Sequence, residues 1–368
     1  MKGAVRRARL EVQGLALQVV AGLGAAMPLC AVTYKPQGDE RGDVPKAMHL
    51  ANPAQNLHQL LLTGGLRSIN KPVRLVFAGR DVEPHLAVKM ARVSESLPAL
   101  ANEAAILQAV HSRHGGELPG VPRVVTFDEN RGELCETALT GAPLWTQLRR
   151  GNFAALAVKA ANWQVALAGE AIPAARDAWW ERLAGCQLAW FGATFAAAVD
   201  ASLLQQAADR LQSLPDLPLV CEQRDFSPWN VLLKDGNLVV LDWESAELQG
   251  LPALDLIYFL TYLALFVEGV QVHGVVDTEQ ARRVYRLTRD PRTELGNVVQ
   301  KSLASYARRV GLQLDVLHPL RLLAWMVYAR HEYQTTWQAY GTTPTVRELR
   351  QSMFLHLWEE ELSEGGGA

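Results

Sequence analysis

Along the 368-residue chain the apolar positions change period several times, and each change marks a segment. Residues 15–32 are mainly apolar and follow Lys2, Arg6, Arg7 and Arg9. Glu11, Gln13 and Gln18 interrupt this pattern and Pro28 lies near its end, so it is too broken to span a bilayer. It predicts an amphipathic helix over 8–26, within a leader of residues 1–34 that packs on the fold or on a partner. A peripheral membrane contact is the alternative. Polar, Pro/Gly-rich sequence then marks a linker, placed at 35–55. Short apolar runs follow at 60–63, 73–77, 86–89, 121–127 and 133–139, separated by Gly-, Asp- and Asn-rich turns, and read as strands. Between the third and fourth lies one helical pattern, with Pro98 near its first turn and Leu100, Ala104, Leu107 and Val110 on one face. After Trp145 helical periods dominate, at 152–170, 174–213, 253–268, 278–287, 292–310, 317–340 and 344–362. Residues 214–218 break the pattern and 363–368 form a frayed tail. The whole predicts an α+β protein, with a small β-rich part at 56–140 ahead of a larger helical part at 141–362.

One stretch interrupts the helical half. Residues 221–244 read CEQRDFSPWNVLLKDGNLVVLDWE, with two apolar runs of strand length around Lys234, Asp235, Gly236 and Asn237. Asp-Gly between alternating runs is a strong hairpin signal. A tight hairpin sets its flanks side by side. Asp225 and Asn230 lie just before it and Asp242 just after, so three oxygen-bearing side chains converge at one end of a rigid ribbon. Two carboxylates and an amide oxygen suit a hard cation such as Mg²⁺. Each piece alone is ordinary turn sequence; the joint pattern, in this order and spacing, is not.

The pattern R-D-x-x-x-x-N, then an apolar hairpin and D-x-E, resembles the catalytic and metal-binding loops of the protein-kinase-like superfamily. Here it is Arg224, Asp225 and Asn230, then Asp242, Trp243 and Glu244. No long activation loop ending in A-P-E follows. The chain passes through Gly250, Leu251 and Pro252 into an apolar helix carrying Asp255. In this form it is similar to the aminoglycoside phosphotransferase and choline kinase branch, whose members phosphorylate small molecules. The resemblance covers residues 56–340. It implies a bilobal protein-kinase-like fold, a β-rich lobe with one main helix and a helical lobe carrying the catalytic hairpin. It implies Asp225 as catalytic base, Asn230 and Asp242 as magnesium ligands, and Asp255 as support for the loop.

The same resemblance extends toward the N-terminus. Lys89, in L-A-V-K-M, matches the V-A-I-K strand, and the family pairs that lysine with a helix glutamate. Glu103 is the choice here and Glu95 the second candidate. Gly64 and Gly65 on the first hairpin let backbone N–H groups approach phosphate, with Ser68 and Asn70 as further donors. The strand ending before Thr140 and Gly141 resembles the hinge between lobes, which places the adenine contact within Glu136 to Leu139. Two positions depart from the family. Gln223 stands where a histidine is usual, and its amide has both a donor and an acceptor to brace the loop. Arg224 stands where this branch usually has glycine; with no activation loop to meet, it is expected in a structural ion pair.

Composition narrows the reading. With 49% hydrophobic and 20% charged residues the chain is globular, and a net charge of −2 gives no footprint for nucleic acid. Cys30, Cys135, Cys186 and Cys221 are scattered, which indicates neither a zinc site nor a disulfide framework. Trp325, Tyr328, Tyr333, Trp337 and Tyr340 recur at the spacing of a core-facing helix stripe; a cage for a quaternary ammonium is the sharper alternative. No dense acidic cluster offers itself to a polycationic aminoglycoside. The expected protein is a cytoplasmic kinase that uses Mg²⁺ and ATP, with GTP as the alternative nucleotide, on a hydroxyl of a small molecule. The rivals are a non-catalytic kinase-fold binding or regulatory module, and an enzyme of this fold that transfers AMP or takes a protein acceptor.

Overall fold

The computed structural model describes residues 31–34, 57–62, 71–270, 277–338 and 341–363. The expected leader helix over 8–26, the linker at 35–55, and Gly64, Gly65, Ser68 and Asn70 lie outside the described residues. The chain divides into two units, one comprising 1–147 and 228–246, the other 148–227 and 247–368. The first carries the main sheet and the second is mainly helical, the bilobal α+β architecture that the sequence predicts. Among the described residues no helix is long and apolar enough to cross a membrane.

The first unit is built on six antiparallel strands, β1 (Ala31–Tyr34), β2 (Leu57–Leu62), β3 (Val73–Ala78), β4 (Leu86–Met90), β5 (Val124–Asp128) and β6 (Glu133–Thr137), in the order β1-β2-β3-β4-β6-β5. The register sets Val73 opposite Lys89 and Ala87 opposite Glu136. The fourth predicted strand starts later than its apolar run, at Val124. Pro122 has no N–H for a ladder, and its carbonyl is taken by His111 Nε2 at 2.8 Å. Helix α1 (Leu97–Arg113) has proline in its first turn and packs Leu100 and Ala104 against Leu134. Glu103 lies on that same buried face, so helical periodicity alone carries a carboxylate into the interior.

Strands Val231–Lys234 and Asn237–Val240 form the predicted hairpin, with positive φ at both Asp235 (51°) and Gly236 (76°), as a two-residue turn of this hand requires. The short strand Ala142–Pro143 pairs alongside it. Gly120, at φ 79°, seats it: Val240 N donates to Gly120 O at 2.8 Å, and a Cβ on Gly120 would stand 2.1 Å from Leu238 O. By packing, this later stretch of sequence is therefore part of the first unit.

The second unit gathers helices α2 (Phe153–Ala168), α3 (Cys186–Phe195), α4 (Ala201–Gln212), α5 (Leu254–Val267), α6 (Thr278–Arg289), α7 (Glu294–Arg309), α8 (Leu317–Thr336) and α9 (Met353–Ser363). Helix α5 is buried all round from Leu254 to Leu265, which places it at the centre, with α2, α6, α7 and α8 against it. Two expectations are corrected. The single helical pattern over 174–213 is interrupted, because Asp200 caps a new helix by accepting Ser202 N at 2.8 Å. The last helix is likewise broken, by a short turn capped at Thr345 and a restart at Met353. A strand missed in the sequence, Leu217–Glu222, runs between Ile172–Ala174 and Glu247–Gly250 and leads directly into the loop that holds Asp225.

Candidate active site

In the first unit, Lys89 rises from β4 into a buried group of carboxylates. Its ammonium donates to Glu103 Oε1 and lies 3.1 Å from Glu136 Oε1. Glu95, the second candidate partner, is exposed. Burial works against the charge on Lys89, but Glu103 and Glu136 overcome it and hold the group above the usual lysine range. Burial likewise resists ionisation of Glu103, and Lys89 with Lys71 reverses this, leaving its carboxyl below the usual range. Glu136 is different. Burial, with Glu103 adding to it against the pull of Lys89, pushes its carboxyl up to about 7. One of its oxygens is buried with no hydrogen-bond partner. Glu136 lies inside β6, between β4 and β5, and Leu139 is half-buried just beyond the strand end.

The D-W-E segment is tied to this group. Trp243 is fully buried, its indole N–H donates to Val240 O at 3.0 Å, and its backbone N–H donates to Glu103 Oε1 at 3.0 Å. One carboxylate thus holds both the strand lysine and the residue after Asp242. Asp242 itself has φ 59°, a left-handed conformation uncommon outside glycine. At the other flank of the hairpin Asn230 is buried, and its carbonyl accepts Leu241 N at 2.9 Å. One member of the group, Lys71, was not foreseen. Lys71 donates to Glu244 and stands 4.0 Å from Glu103 Oε2. Burial outweighs the pull of Glu103 and Asp242 and holds Lys71 below the usual lysine value. Partners this remote in sequence leave no local signal; only the acidic third residue of D-W-E hints at Glu244.

In the second unit the loop around Asp225 is held by its backbone. Asp255, at the start of α5, accepts Gln223 N at 2.6 Å and Arg224 N at 2.9 Å, and Tyr328 OH at 3.3 Å. Gln223 is fully buried, and its side-chain oxygen accepts Asp225 N at 2.9 Å. The amide therefore braces the loop as the sequence suggested a glutamine would. Arg224 has φ 65°, which explains why glycine suits this position, and its guanidinium reaches Glu222 at 3.5 Å and Glu247 at 4.0 Å. Phe226 is sandwiched between Trp163 and Phe259, at 5.1 and 4.5 Å between ring centroids. Asp225 is thus fixed from both sides along the chain. In α8, Trp325 and Tyr328 face the core, whereas Tyr333 and, one residue past the helix end, Trp337 are half-buried; Tyr340 lies outside the described residues. A cavity of about 480 Å³ elsewhere in this unit, lined by Arg210, Asp315 and His318 among others, shares none of these residues.

The model of the phosphotransferase enzyme family, APH, matches residues 73–290, more than half of the chain. The chain belongs to this family. Among solved structures its fold is similar to that of a macrolide 2′-phosphotransferase type I, at 15% identity and a TM-score of 0.51, covering 88% of this chain and 98% of that one. The GDP and kanamycin complex of APH(2″)-IIia is similar at 13% identity over 87% and 98% of the two chains, with a TM-score of 0.49. A choline/ethanolamine kinase family protein from Mesorhizobium loti follows at 14% identity over 88% and 96%, with a TM-score of 0.45. No curated protein matches the chain.

Proposed function

We propose that this phosphotransferase-family protein transfers the γ-phosphoryl group of ATP, or of GTP, to a hydroxyl of a small molecule in the cytoplasm, with Mg²⁺. The observation that carries the reading is the buried lysine of the first unit, paired with a helix carboxylate that also holds the D-W-E segment. A structural ion pair has no need of that second bond; a site that must set a nucleotide and a metal ligand in register does.

In this reading Lys89, oriented by Glu103, binds the nucleotide phosphates. Within 136–139 the adenine falls to the backbone at Leu139, since Glu136 is paired on both sides and Thr137 N and Ala138 N already donate to Arg123 O and His85 O; the N–H groups of Gly64, Gly65 and Ser68, outside the described residues, are assigned to the phosphates. Asn230 and Asp242 would hold the metal. The residues fit such a cation: Glu103 and Glu136 lie against Lys89 and Glu244 against Lys71, carboxylates that gather about Asp242, and one buried Glu136 oxygen has no hydrogen-bond partner. Among the described residues no group of three or more His, Cys, Asp or Glu side chains forms a metal cage. An open set of an amide and a carboxylate is what Mg²⁺ takes when phosphate oxygens and water complete its shell. When bound, the metal neutralises charge on the phosphates. Asp225, held by Gln223 and by the packing of Phe226, orients the acceptor hydroxyl and takes its proton, so most of the catalysis is positioning and charge neutralisation.

The test is thermal stability with ATP or GTP, with and without Mg²⁺, for the wild type and Asp242→Ala. A magnesium-dependent rise in melting temperature that Asp242→Ala loses is the expected result. Asp225→Asn should keep that rise and lose turnover. Absence of any shift in the wild type would move the protein to the non-catalytic binding class. The mass added to the acceptor distinguishes phosphate from AMP.

A further inference from the structure

We propose that Lys71 is a second phosphate-binding lysine, and that Glu244 holds its ammonium in place until the nucleotide phosphates displace it. The proposal rests on the nucleotide-site reading above.

Lys71 enters β3 through Pro72, whose carbonyl accepts Met90 N at 3.0 Å. That bond pins the stem of Lys71 beside the end of β4, one residue beyond Lys89. The two lysines address one carboxylate, Lys89 at Glu103 Oε1 and Lys71 at 4.0 Å from Oε2. Their side chains are 9% and 11% exposed, so neither is a solvated surface lysine. Burial and the neighbouring Lys89 both oppose the charge on Lys71, so its ammonium gains from an anionic partner that Glu103, already bonded to Lys89, supplies only at 4.0 Å. A polyphosphate supplies such charge over the width of both groups.

The partners of Lys71 differ in how readily they let go. Glu103 is fully buried and fixed by Trp243 N at 3.0 Å. The Glu244 side chain is 36% exposed and can turn to water. Nor does the chain need the Lys71–Glu244 pair to stay in place. Asn102 Nδ2 donates to Glu244 O at 2.9 Å and to Ala246 O at 3.2 Å, which holds the backbone of this segment whatever the Glu244 carboxylate does. The pair is thus exchangeable without unseating the loop, which is how a placeholder differs from a strut. An ammonium released from Glu244 makes charge-assisted bonds to phosphate oxygens, and the freed carboxylate lies two residues from Asp242.

The experiment measures dissociation constants for ATP, ADP and adenosine in the presence of Mg²⁺, by calorimetry or competition, for the wild type, Lys71→Met, Lys71→Arg and Glu244→Gln. Lys71→Met is expected to weaken ATP by about tenfold or more, the loss of one charged hydrogen bond, and to leave adenosine unchanged. Lys71→Arg should restore most of the loss, and Glu244→Gln should bind ATP at least as tightly as the wild type. The proposal is overturned if Lys71→Met binds ATP normally, if it loses adenosine as strongly as ATP, or if Glu244→Gln weakens ATP as much as Lys71→Met does. A wild type that binds none of the three ligands removes the nucleotide-site reading itself, and this proposal with it.

Discussion

In the first unit, Lys89 is met by side chains: Glu103 and Glu136 come to it from a helix and a neighbouring strand. In the second, Asp255 is met chiefly by backbone: two of its three bonds are to the N–H groups of Gln223 and Arg224. Both are buried ionisable groups, yet they answer different demands. A cluster of opposed side chains can redistribute charge, since burial pushes the Glu136 carboxyl up to about 7 and the Glu244 side chain is 36% exposed. A carboxylate bonded to consecutive amides fixes the course of the chain. It holds Arg224 at φ 65°, a conformation that costs a non-glycine residue on the order of 1–3 kcal/mol. In the reading proposed above, charge is gathered where the nucleotide would bring its own, and backbone is clamped where Asp225 would have to point.

The sharpest way to break this contrast is to remove one group of each kind. Asp255→Ala leaves two buried N–H groups without an acceptor, at about 1–3 kcal/mol each, and a total loss of about 3–5 kcal/mol is expected by chemical denaturation. Lys89→Met should cost less stability, because Lys71 stays beside Glu103 and Glu136 can take up a proton. Its effect should fall instead on the nucleotide-dependent rise in melting temperature, which should vanish. If Lys89→Met proves the more destabilising change, the first cluster is a structural core element and the distinction fails.

A smaller effect tests the loop more finely. Gln223→Ala removes the acceptor of Asp225 N but leaves both Asp255 bonds. Turnover should fall by about tenfold, with nucleotide affinity unchanged. Gln223→His, which restores a ring nitrogen at the family position, should recover most of it. Equal turnover in Gln223→Ala would show that the Gln223 side chain is not needed to fix Asp225.

How legible each part was follows from the range of the interactions that make it. The strands around Val73 and Leu86 and the face of α1 are local alternations, and the sequence shows them almost to the residue. The hairpin turn is equally local, because Asp-Gly supplies both positive φ angles. The break in the pattern over 174–213 was hidden, since no glycine or proline marks the end of α3 and the cap at Asp200 acts only once the chain has turned. The strand Leu217–Glu222 was masked by its prolines: Pro218 read as a breaker, although Pro173 lies opposite it and asks no hydrogen bond of it. In the site, the residues of the R-D-x-x-x-x-N and D-W-E motifs were legible as a pattern. Lys71 was not, because its partner lies 173 residues away. The side chain of Glu136 was also missed, since an adenine contact through the backbone says nothing of where a carboxylate points.

A change that shows only on titration concerns Glu222, a buried carboxyl of the second unit whose neighbours include both Arg224 and Asp255. It accepts Leu251 N at 3.0 Å and packs so closely on Gly250 that a Cβ there would stand 1.8 Å from its oxygen. Burial, with Asp255 adding to it against the pull of Arg224, pushes it up to about 8. In the unfolded chain a glutamate titrates near about 4.3. Between these values the folded protein keeps a proton that the unfolded chain releases, so this group's contribution to stability is complete at low pH and is lost as pH rises toward 8. Glu136, pushed up in the same sense to about 7, contributes a similar ramp that ends sooner. Glu222→Gln, which keeps an acceptor for Leu251 N, removes only the first ramp. The melting temperature of the wild type should therefore fall relative to that of the variant as pH is raised from 5 to 8, because the Glu136 ramp is common to both and only the Glu222 ramp separates them. Parallel curves over that window would mean that Arg224 keeps Glu222 ionised in the folded protein, and that the loop is clamped by an ion pair as well as by backbone.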